Sequence, residues 1–347
     1  MKRNALIVLL PVLLFVLNGF SEPIPIARSG PQELSPLEDL GRYLFFDPRL
    51  SGDGSLSCAS CHNPEYGWTD GQQLSRAYPG SDGFRNTKST LNISDTKHLY
   101  WDGRLPGSDL ETQVRDAITE THFMNLDGRL MQERLKQVPE YIQMFEIALS
   151  SEPSFGGTLK AIAAFEKTLR TGPSPYDTDN LSDAAKRGQL IFEGKGACSS
   201  CHSGATFTDH APHRTGVPEN PSILGMPLRH ATYRSFIKAM GVPGYMQAKT
   251  DVGYFTVTKS SKDLGAFITP VLKQVADTGP YMHNGMFSTL EEVVSFYDKR
   301  GDGLALTEVE KADLVTFLES LSGPLPEVEV PQLPAYQLIN NWNEARN

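Results

Sequence analysis

The chain has 347 residues and a formal net charge of −9, which is enough sequence for about two domains. Hydrophobic residues make up 39% of it, a content that fits a soluble globular protein. An acidic chain without a basic run lacks the charge pattern of a nucleic-acid-binding protein, so that class is excluded.

Residues 1–21 have the pattern of a secretory signal peptide. Lys2 and Arg3 give a charged start, and the apolar run from Ala5 to Leu17 is too short and too early for a convincing membrane span. No clear A-x-A cleavage site follows, so an uncleaved anchor is the alternative. We therefore expect an exported protein with no stable membrane span.

Helices are predicted from capping signals and apolar periodicity. Ser35, with Pro36 and Glu38, marks the start of the first helix, and Ser108 with Glu111 marks another. Further helices are predicted over residues 128–137, 139–149, 158–170, 183–193, 289–299 and 307–321. Residues 63–107 are predicted to be mostly loop and residues 214–262 irregular, with a Pro-rich tail that is extended or loose.

All four cysteines fall in two copies of the sequence C-x-x-C-H. The residues are Cys58, Cys61 and His62 in the first copy and Cys198, Cys201 and His202 in the second. Two thiols one helical turn apart can add to the vinyl groups of a haem, and the following His is then placed under the iron. A disulfide or a four-cysteine zinc site is the alternative, although zinc would leave both histidines unexplained. The motifs predict two c-type haems, which in bacteria are attached outside the cytoplasm, and the predicted location is the periplasm.

The second half of the chain repeats the plan of the first. Trp68-Thr69-Asp70 after the first motif is echoed by Phe207-Thr208-Asp209 after the second, and the Pro-rich segment 171–175 is the best linker. We predict a mainly α protein with a haem domain over residues 32–172 and another over 176–322, followed by a tail over 323–347.

Four further motifs stand beside the two C-x-x-C-H sequences. They are Phe45-Phe46-Asp47-Pro48-Arg49-Leu50-Ser51, Arg85-Asn86-Thr87, Trp101-Asp102-Gly103-Arg104 and Pro280-Tyr281-Met282-His283-Asn284-Gly285. Over about residues 34–321 the chain resembles the bacterial dihaem cytochrome c peroxidase and MauG family. The resemblance implies two cytochrome-c-like helical domains, each with one covalently attached haem, and haems that face each other across the interface.

The resemblance also implies roles for the two haems. Hydrogen peroxide would be reduced at the N-terminal haem, with His62 as proximal ligand, and electrons would be relayed through the C-terminal haem, with His202 as proximal ligand. Trp101 would lie between the haems, where an indole can pass a hole in two short steps; a packed core Trp is the alternative. The electron donor would be a small cytochrome c or cupredoxin. The other readings are MauG-like oxidation of Trp or Tyr residues in a partner protein and a non-enzymatic dihaem electron carrier.

The sixth ligand of the second haem distinguishes the two branches of the family. The peroxidases have Met fourteen residues after the histidine of the Pro-Tyr-x-His motif and the MauG type has Tyr; here that position is Tyr297. Met286 is the rival ligand, and an ordinary core Tyr is the alternative. A thioether favours ferrous iron whereas a phenolate favours ferric and higher states, so Tyr297 would favour the MauG-like outcome.

The peroxide pocket departs from the family pattern. Gln113 matches the distal glutamine after a two-residue insertion, but Phe123 stands where the catalytic Glu is expected. Glu120 and His122 lie in the same stretch and could supply the general acid–base group that peroxide cleavage needs, a surface or core His being the alternative. The usual distal His is replaced by Tyr78, which implies an open N-terminal haem.

A calcium ion between the domains is also implied by the resemblance. Asn86 matches the side-chain ligand, and the carbonyls of Thr278 and Pro280 match two more oxygen ligands. An asparagine at a loop turn is the alternative.

Overall fold

A computed structural model of the protein describes residues 28–31, 33–301 and 303–336. The predicted signal peptide, residues 1–21, lies outside the described residues, as does the tail from residue 337. No helix within the described residues is long and apolar enough to span a bilayer.

The fold is mainly α, as the sequence predicts, and its longer helices begin at the expected caps. Ser35 and Glu38 form the predicted capping box, as do Thr289 with Glu292 and Thr307 with Glu310. The described residues form the helices α1 (Pro36–Phe46), α2 (Cys58–Cys61), α3 (Leu110–Thr119), α4 (Gly128–Leu135), α5 (Pro139–Leu149), α6 (Phe155–Thr168), α7 (Asp183–Glu193), α8 (Pro221–Gly225), α9 (Pro227–Ala239), α10 (Phe255–Thr258), α11 (Leu290–Asp298) and α12 (Glu308–Glu319).

Strands are few and short. The antiparallel pairs are β2 (His98–Leu99) with β3 (Leu105–Pro106) and β4 (Pro212–His213) with β5 (Phe267–Ile268). A parallel pair joins β1 (Arg28–Pro31) to β6 (Leu325–Glu327), so part of the Pro-rich tail is extended.

The same helix crossing occurs once in each half of the chain. In the first half α1 crosses α6 at Gly41, where an added Cβ would lie 2.0 Å from the carbonyl oxygen of Ala161. In the second half α7 crosses α12 at Gly188, where a Cβ would lie 2.0 Å from that of Asp313. Each crossing therefore requires a glycine for close approach.

Aromatic rings complete both crossings at matching positions. Phe45 lies 5.3 Å from Phe165 in the first half, and Phe192 lies 5.2 Å from Phe317 in the second, measured between ring centroids. The contact residues of α1 have the same spacing as those of α7, and the contact residues of α6 have the same spacing as those of α12. This agreement supports the duplication predicted from the motifs.

Two local predictions were wrong. The N-cap of α3 is Asp109, whose carboxylate accepts a hydrogen bond from the Thr112 amide, and not Ser108. Residues 214–262 are not irregular, because they contain α8, α9 and α10. Within the described residues, a hydrophobic cluster built on α9 brings Tyr233 and Phe236 from the second half against Phe84 from the first.

A buried ion network also joins the two halves. The Arg85 guanidinium donates to both carboxylate oxygens of Asp251, at 2.7 and 2.8 Å, and to Asp102 at 2.6 Å. Arg104 donates to the same Asp102 carboxylate at 3.1 Å. These mutual charges hold the pKa of Asp102 and of Asp251 below its usual range despite burial, so both carboxylates are ionised.

Candidate active site

One cavity of about 650 Å³ joins the two C-x-x-C-H motifs. Its lining brings together most of the residues that the sequence selected, from positions more than 200 residues apart. These are Cys58, Cys61, His62, Asn86, Trp101, Gln113, His122, Cys198, Cys201, His202, Thr278, Pro280 and Tyr297. Glu120 and Met286 are the predicted site residues that do not line it.

The two motif histidines are suited to bind iron. His62 Nδ1 lies 3.1 Å from the Trp68 carbonyl oxygen, and His202 Nδ1 lies 2.9 Å from that of Phe207. Such a bond fixes the tautomer in which Nε2 carries the lone pair. Burial lowers the pKa of both imidazoles, which keeps them neutral as a ligand must be.

The four cysteines are free thiols in the same cavity, so they are not paired in a disulfide. They do not cluster as a four-cysteine zinc site either: among the described residues the one group of possible metal ligands that includes a cysteine is Cys201 with Asp209 and His213. Each motif instead presents two thiols and a neutral imidazole to a shared, largely apolar space. This donor set fits a haem attached to each motif.

Trp101 lines the cavity that joins the two motifs. Its indole Nε1 donates a hydrogen bond of 2.9 Å to the backbone carbonyl oxygen of Asn86. The backbone N–H of Asn86 in turn donates to the backbone carbonyl oxygen of His283 at 2.8 Å. The indole orientation is therefore fixed by a backbone path that crosses between the two halves.

The residues that the first half of the chain contributes to the cavity include Gln113, His122 and Phe123. Gln113 Oε1 is buried without a hydrogen-bond partner in the described part of the chain, an expensive arrangement unless a ligand pairs with it. The His122 ring packs between Phe123, at 4.2 Å between centroids, and Phe84, at 5.8 Å. These contacts present a buried imidazole and an unpaired amide oxygen to the same space.

Glu120 lies behind His122 rather than on the cavity wall. Its Oε2 is 3.4 Å from His122 Nε2, a contact whose geometry is not that of a hydrogen bond. Burial raises the pKa of Glu120 to about 7. Burial, with Arg104 and Arg85 acting in the same direction, lowers the pKa of His122 to about 4. The pair therefore offers a neutral imidazole backed by a carboxyl group that exchanges its proton near neutral pH.

Arg104 is a site residue that the sequence analysis quoted in a motif without giving it a role. Its guanidinium lies 3.3 Å above the Tyr100 ring, next to the cavity that His122 and Gln113 line. One edge pairs with Asp102, and the described residues provide no hydrogen-bond acceptor for the remaining N–H groups. A fixed cation in this pocket can stabilise negative charge on oxygen.

Two other ionisable residues line the cavity, and neither was predicted from the sequence. Glu166 of α6 is 3% exposed, and burial raises its pKa to about 8. Lys88 has its pKa lowered to about 8 by burial. Because Phe165 of α6 corresponds to Phe317 of α12, the counterpart of Glu166 is Leu318. Comparison of the two halves of the sequence could therefore have identified Glu166 as a carboxyl at a position where the other half has an apolar residue.

The cavity wall beside the second motif includes Tyr297 of α11. Burial raises the pKa of its phenol, and the Cys198 and Cys201 thiols are close enough to contribute to the shift. The rival Met286 is absent from the lining residues. Of the two candidate ligands, Tyr297 is the one that shares the cavity with His202.

The three residues predicted to bind calcium all line the same cavity. Asn86 Nδ2 donates to the Gln72 carbonyl oxygen at 2.9 Å, and no described residue donates to its Oδ1. Thr278 and Pro280 contribute from the other half of the chain. Three oxygen atoms are thus available near the interface, the ligand type that Ca²⁺ prefers.

Comparison with known proteins identifies the family. A family model described as di-haem cytochrome c peroxidase matches residues 35–185. The chain is 43% identical to the cytochrome-c peroxidase IdrP2 of Pseudomonas sp. (strain SCT), over 91% of this chain and 88% of that protein. It belongs to the dihaem cytochrome c peroxidase and MauG family.

Both branches of this family are among the relatives. The chain is 36% identical to the methylamine utilization protein MauG of Methylorubrum extorquens, over 90% of this chain and 85% of that protein. The crystal structure of a MauG-like protein associated with microbial copper homeostasis superposes with a TM-score of 0.70 at 28% identity, covering 88% of this chain and 95% of that one. The chain is thus an oxidoreductase of the cytochrome-c peroxidase type, whose family implies two c-type haems, a peroxide substrate and a redox or protein partner.

Proposed function

We propose that the protein reduces hydrogen peroxide at a haem on Cys58 and Cys61, with electrons relayed from a haem on Cys198 and Cys201. The observation that supports this direction is the asymmetry of the cavity. The first half of the chain lines the cavity with the unpaired Gln113 amide oxygen, the His122 imidazole and the Arg104 guanidinium, groups that peroxide chemistry uses, whereas the second half contributes Tyr297.

The haem iron would supply the binding site for peroxide and the redox equivalents. His122, as a neutral imidazole, would take the proton from one peroxide oxygen and return it to the other as the O–O bond breaks. Gln113 would orient the peroxide, and the Arg104 guanidinium would stabilise the negative charge that develops on the departing oxygen. Two electrons and two protons convert each peroxide to two waters, and Trp101 would carry the electrons between the two haems.

The proposal is tested with purified dihaem protein and a reduced small cytochrome c as electron donor. We expect two donor electrons to be consumed per hydrogen peroxide, and we expect Trp101→Phe to slow donor oxidation by about tenfold or more because it removes the relay. The initial reaction of peroxide with the protein should keep its wild-type rate in this variant. Donor oxidation that never depends on peroxide would contradict the proposal and favour a simple electron carrier.

The second candidate function is MauG-like oxidation of Trp or Tyr residues in a partner protein, and the position of Tyr297 in the cavity favours it. If Tyr297 ligates the second haem, Tyr297→Met should raise the potential of that haem by on the order of 100 mV, because a thioether favours ferrous iron. Redox titration followed by absorbance measures the shift. A shift produced by Met286→Leu, with none for Tyr297→Met, would instead identify Met286 as the ligand.

We also propose that Asn86, Thr278 and Pro280 bind one calcium ion. Titration of the chelator-treated protein with Ca²⁺ should show binding that Asn86→Ala weakens.

We further propose that residues 1–21 direct export of the protein to the periplasm. Fractionation of cells that produce the full chain tests this location.

A further inference from the structure

Lys88 lies over the face of the Trp101 indole. Its Nζ is 5.3 Å from the centroid of the ring, and both side chains line the cavity that joins the two haem motifs. The sequence gives no hint of this contact, because the two residues are separated by a loop and a short strand.

The positive charge of Lys88 is not neutralised by the acidic groups around it. The nearest carboxylate that acts on it, Asp102, already accepts hydrogen bonds from Arg85 and Arg104, and the other edge of Arg85 pairs with Asp251. These two arginines and two aspartates balance one another. Lys88 makes no ion pair or hydrogen bond with any residue that the structure describes, so it adds one surplus cation beside the indole.

The Lys88 ammonium acts differently on the two redox states of Trp101. A cation over an aromatic face attracts the neutral ring through its quadrupole, but it repels the same ring once an electron has been removed. The indole proton cannot relieve this repulsion easily, because Nε1 already donates to the Asn86 carbonyl oxygen and lies inside the cavity. The attraction of the neutral ring and the repulsion of the oxidised ring therefore both favour the reduced indole.

We propose that Lys88 is a positioning residue that makes Trp101 harder to oxidise and thereby slows electron exchange between the two haem sites. The inference rests on the proposed relay through Trp101. In each transfer one electron leaves the indole for the N-terminal site and one electron from the C-terminal site replaces it, so no bond is formed or broken. The electrons come from the reduced donor protein and the oxidant is peroxide. The effect of Lys88 is to keep oxidising equivalents at the haem sites rather than on the protein.

The test is a double-mutant cycle on the holoprotein with Lys88→Met, Trp101→Phe and the combination. The readout is the rate at which electrons redistribute between the haems after rapid one-electron reduction, followed by absorbance. We expect Lys88→Met to increase this rate by about tenfold, since the repulsion of the oxidised indole is lost. The same substitution should leave the rate unchanged in the Trp101→Phe background. Lys88→Arg, which keeps the charge, should stay within about twofold of wild type.

Two further variants control for the loss of a lysine elsewhere and for a failure of Lys88→Met to bind haem. Lys238→Met removes a similar cation, 5.7 Å from the half-buried ring of Tyr245, and should leave the electron redistribution rate unchanged. Lys88→Gln replaces Lys88→Met if the latter does not bind both haems. The potentials of the two haems are titrated in parallel and should equal the wild-type values in Lys88→Met.

Three outcomes would overturn the inference: no acceleration in either neutral variant, equal acceleration in both backgrounds, or a haem potential shift that accounts for the rate. Failure of the proposed relay is a separate result. In that case Trp101→Phe by itself leaves the redistribution rate unchanged. If only the inference fails, Trp101→Phe still slows the exchange.

Discussion

At the residue scale, we propose that His122 compensates for the absence of a carboxyl at position 123 in the peroxide pocket. Phe123 occupies the position where the family pattern has a carboxyl, and it packs against His122 and stacks on Tyr100 at 6.3 Å between centroids. Those contacts exclude water and desolvate the imidazole, which is why the pKa of His122 falls to about 4. A neutral base is thus available over the whole physiological pH range.

His122→Ala should slow the reaction of the protein with hydrogen peroxide by ~100-fold, because general acid–base catalysis contributes about that much. Stopped-flow absorbance of the haem bands measures the rate. Adding Phe123→Glu to His122→Ala should recover part of it by restoring the carboxyl at the family position. Glu120→Gln tests whether the carboxyl behind the imidazole participates, and wild-type rates in both His122→Ala and Glu120→Gln would remove the pair as the acid–base group.

At the scale of secondary-structure elements, α6 and α12 are corresponding helices, and one of the buried positions at which they differ lies on the cavity wall. Glu166 of α6 has no hydrogen-bond partner for its Oε2 in the described part of the chain, and Leu318 of α12 takes the corresponding place. Both residues line the cavity, so the carboxyl is not required by the helix crossing itself. Because burial disfavours its ionised form, we expect the carboxyl to make the stability of the fold depend on pH.

The pKa of Glu166 is raised by burial to about 8, from 4.5 for the free side chain, so the folded state holds the proton more tightly than the unfolded state. The associated stability is fully present below about pH 4.5 and is lost as the pH rises through about 8. Over that window the wild type should lose roughly 3–5 kcal/mol relative to Glu166→Gln, whose amide does not titrate. Denaturant unfolding at pH 5, 7 and 9 checks this, with Glu111→Gln on an exposed position as control. Parallel pH profiles for the wild type and Glu166→Gln would contradict it.

At the scale of the whole molecule, the cavity exists because the two halves are fixed against each other. Arg85 connects Asp102 in the first half to Asp251 in the second, and the α9 cluster packs Phe236 over the pocket that contains His122. Neither half alone encloses the site. The relative position of the haem motifs therefore depends on a buried ion network and on a helix that belongs to the other half.

Arg85→Met should destabilise the fold by about 3–5 kcal/mol, because it leaves the buried Asp251 carboxylate without its partner. Arg129→Met is the matched control: this exposed arginine pairs with Asp127 at 3.1 Å, and its loss should cost far less stability than that of Arg85 because solvent screens the pair. Denaturant unfolding monitored by circular dichroism measures both. Equal effects of the two substitutions would show that the network does not hold the halves together.

Local signals in the sequence predicted most of the helices and the haem-binding residues. A capping box acts over four residues and a C-x-x-C-H motif over five, so both can be read without knowing the fold. The error at Ser108 was of the same local kind, since two adjacent residues could cap and Asp109 does so. Helix α9 was missed because its apolar face is set by Phe84 of the other half, and no periodic pattern in the sequence reveals that partner.

The sequence by itself determined the helical class and, through its motifs, the family, and it predicted two sites of haem attachment. Only the tertiary structure decided which of the candidate residues share one cavity, and it added Arg104, Glu166 and Lys88, whose importance comes from burial. Burial and uncompensated charge depend on groups that are distant in the sequence. Arg85, for example, pairs with both Asp102 and Asp251, which leaves Lys88 without an ion-pair partner among the described residues. Such properties are fixed when the chain packs, and no short segment of the sequence contains them.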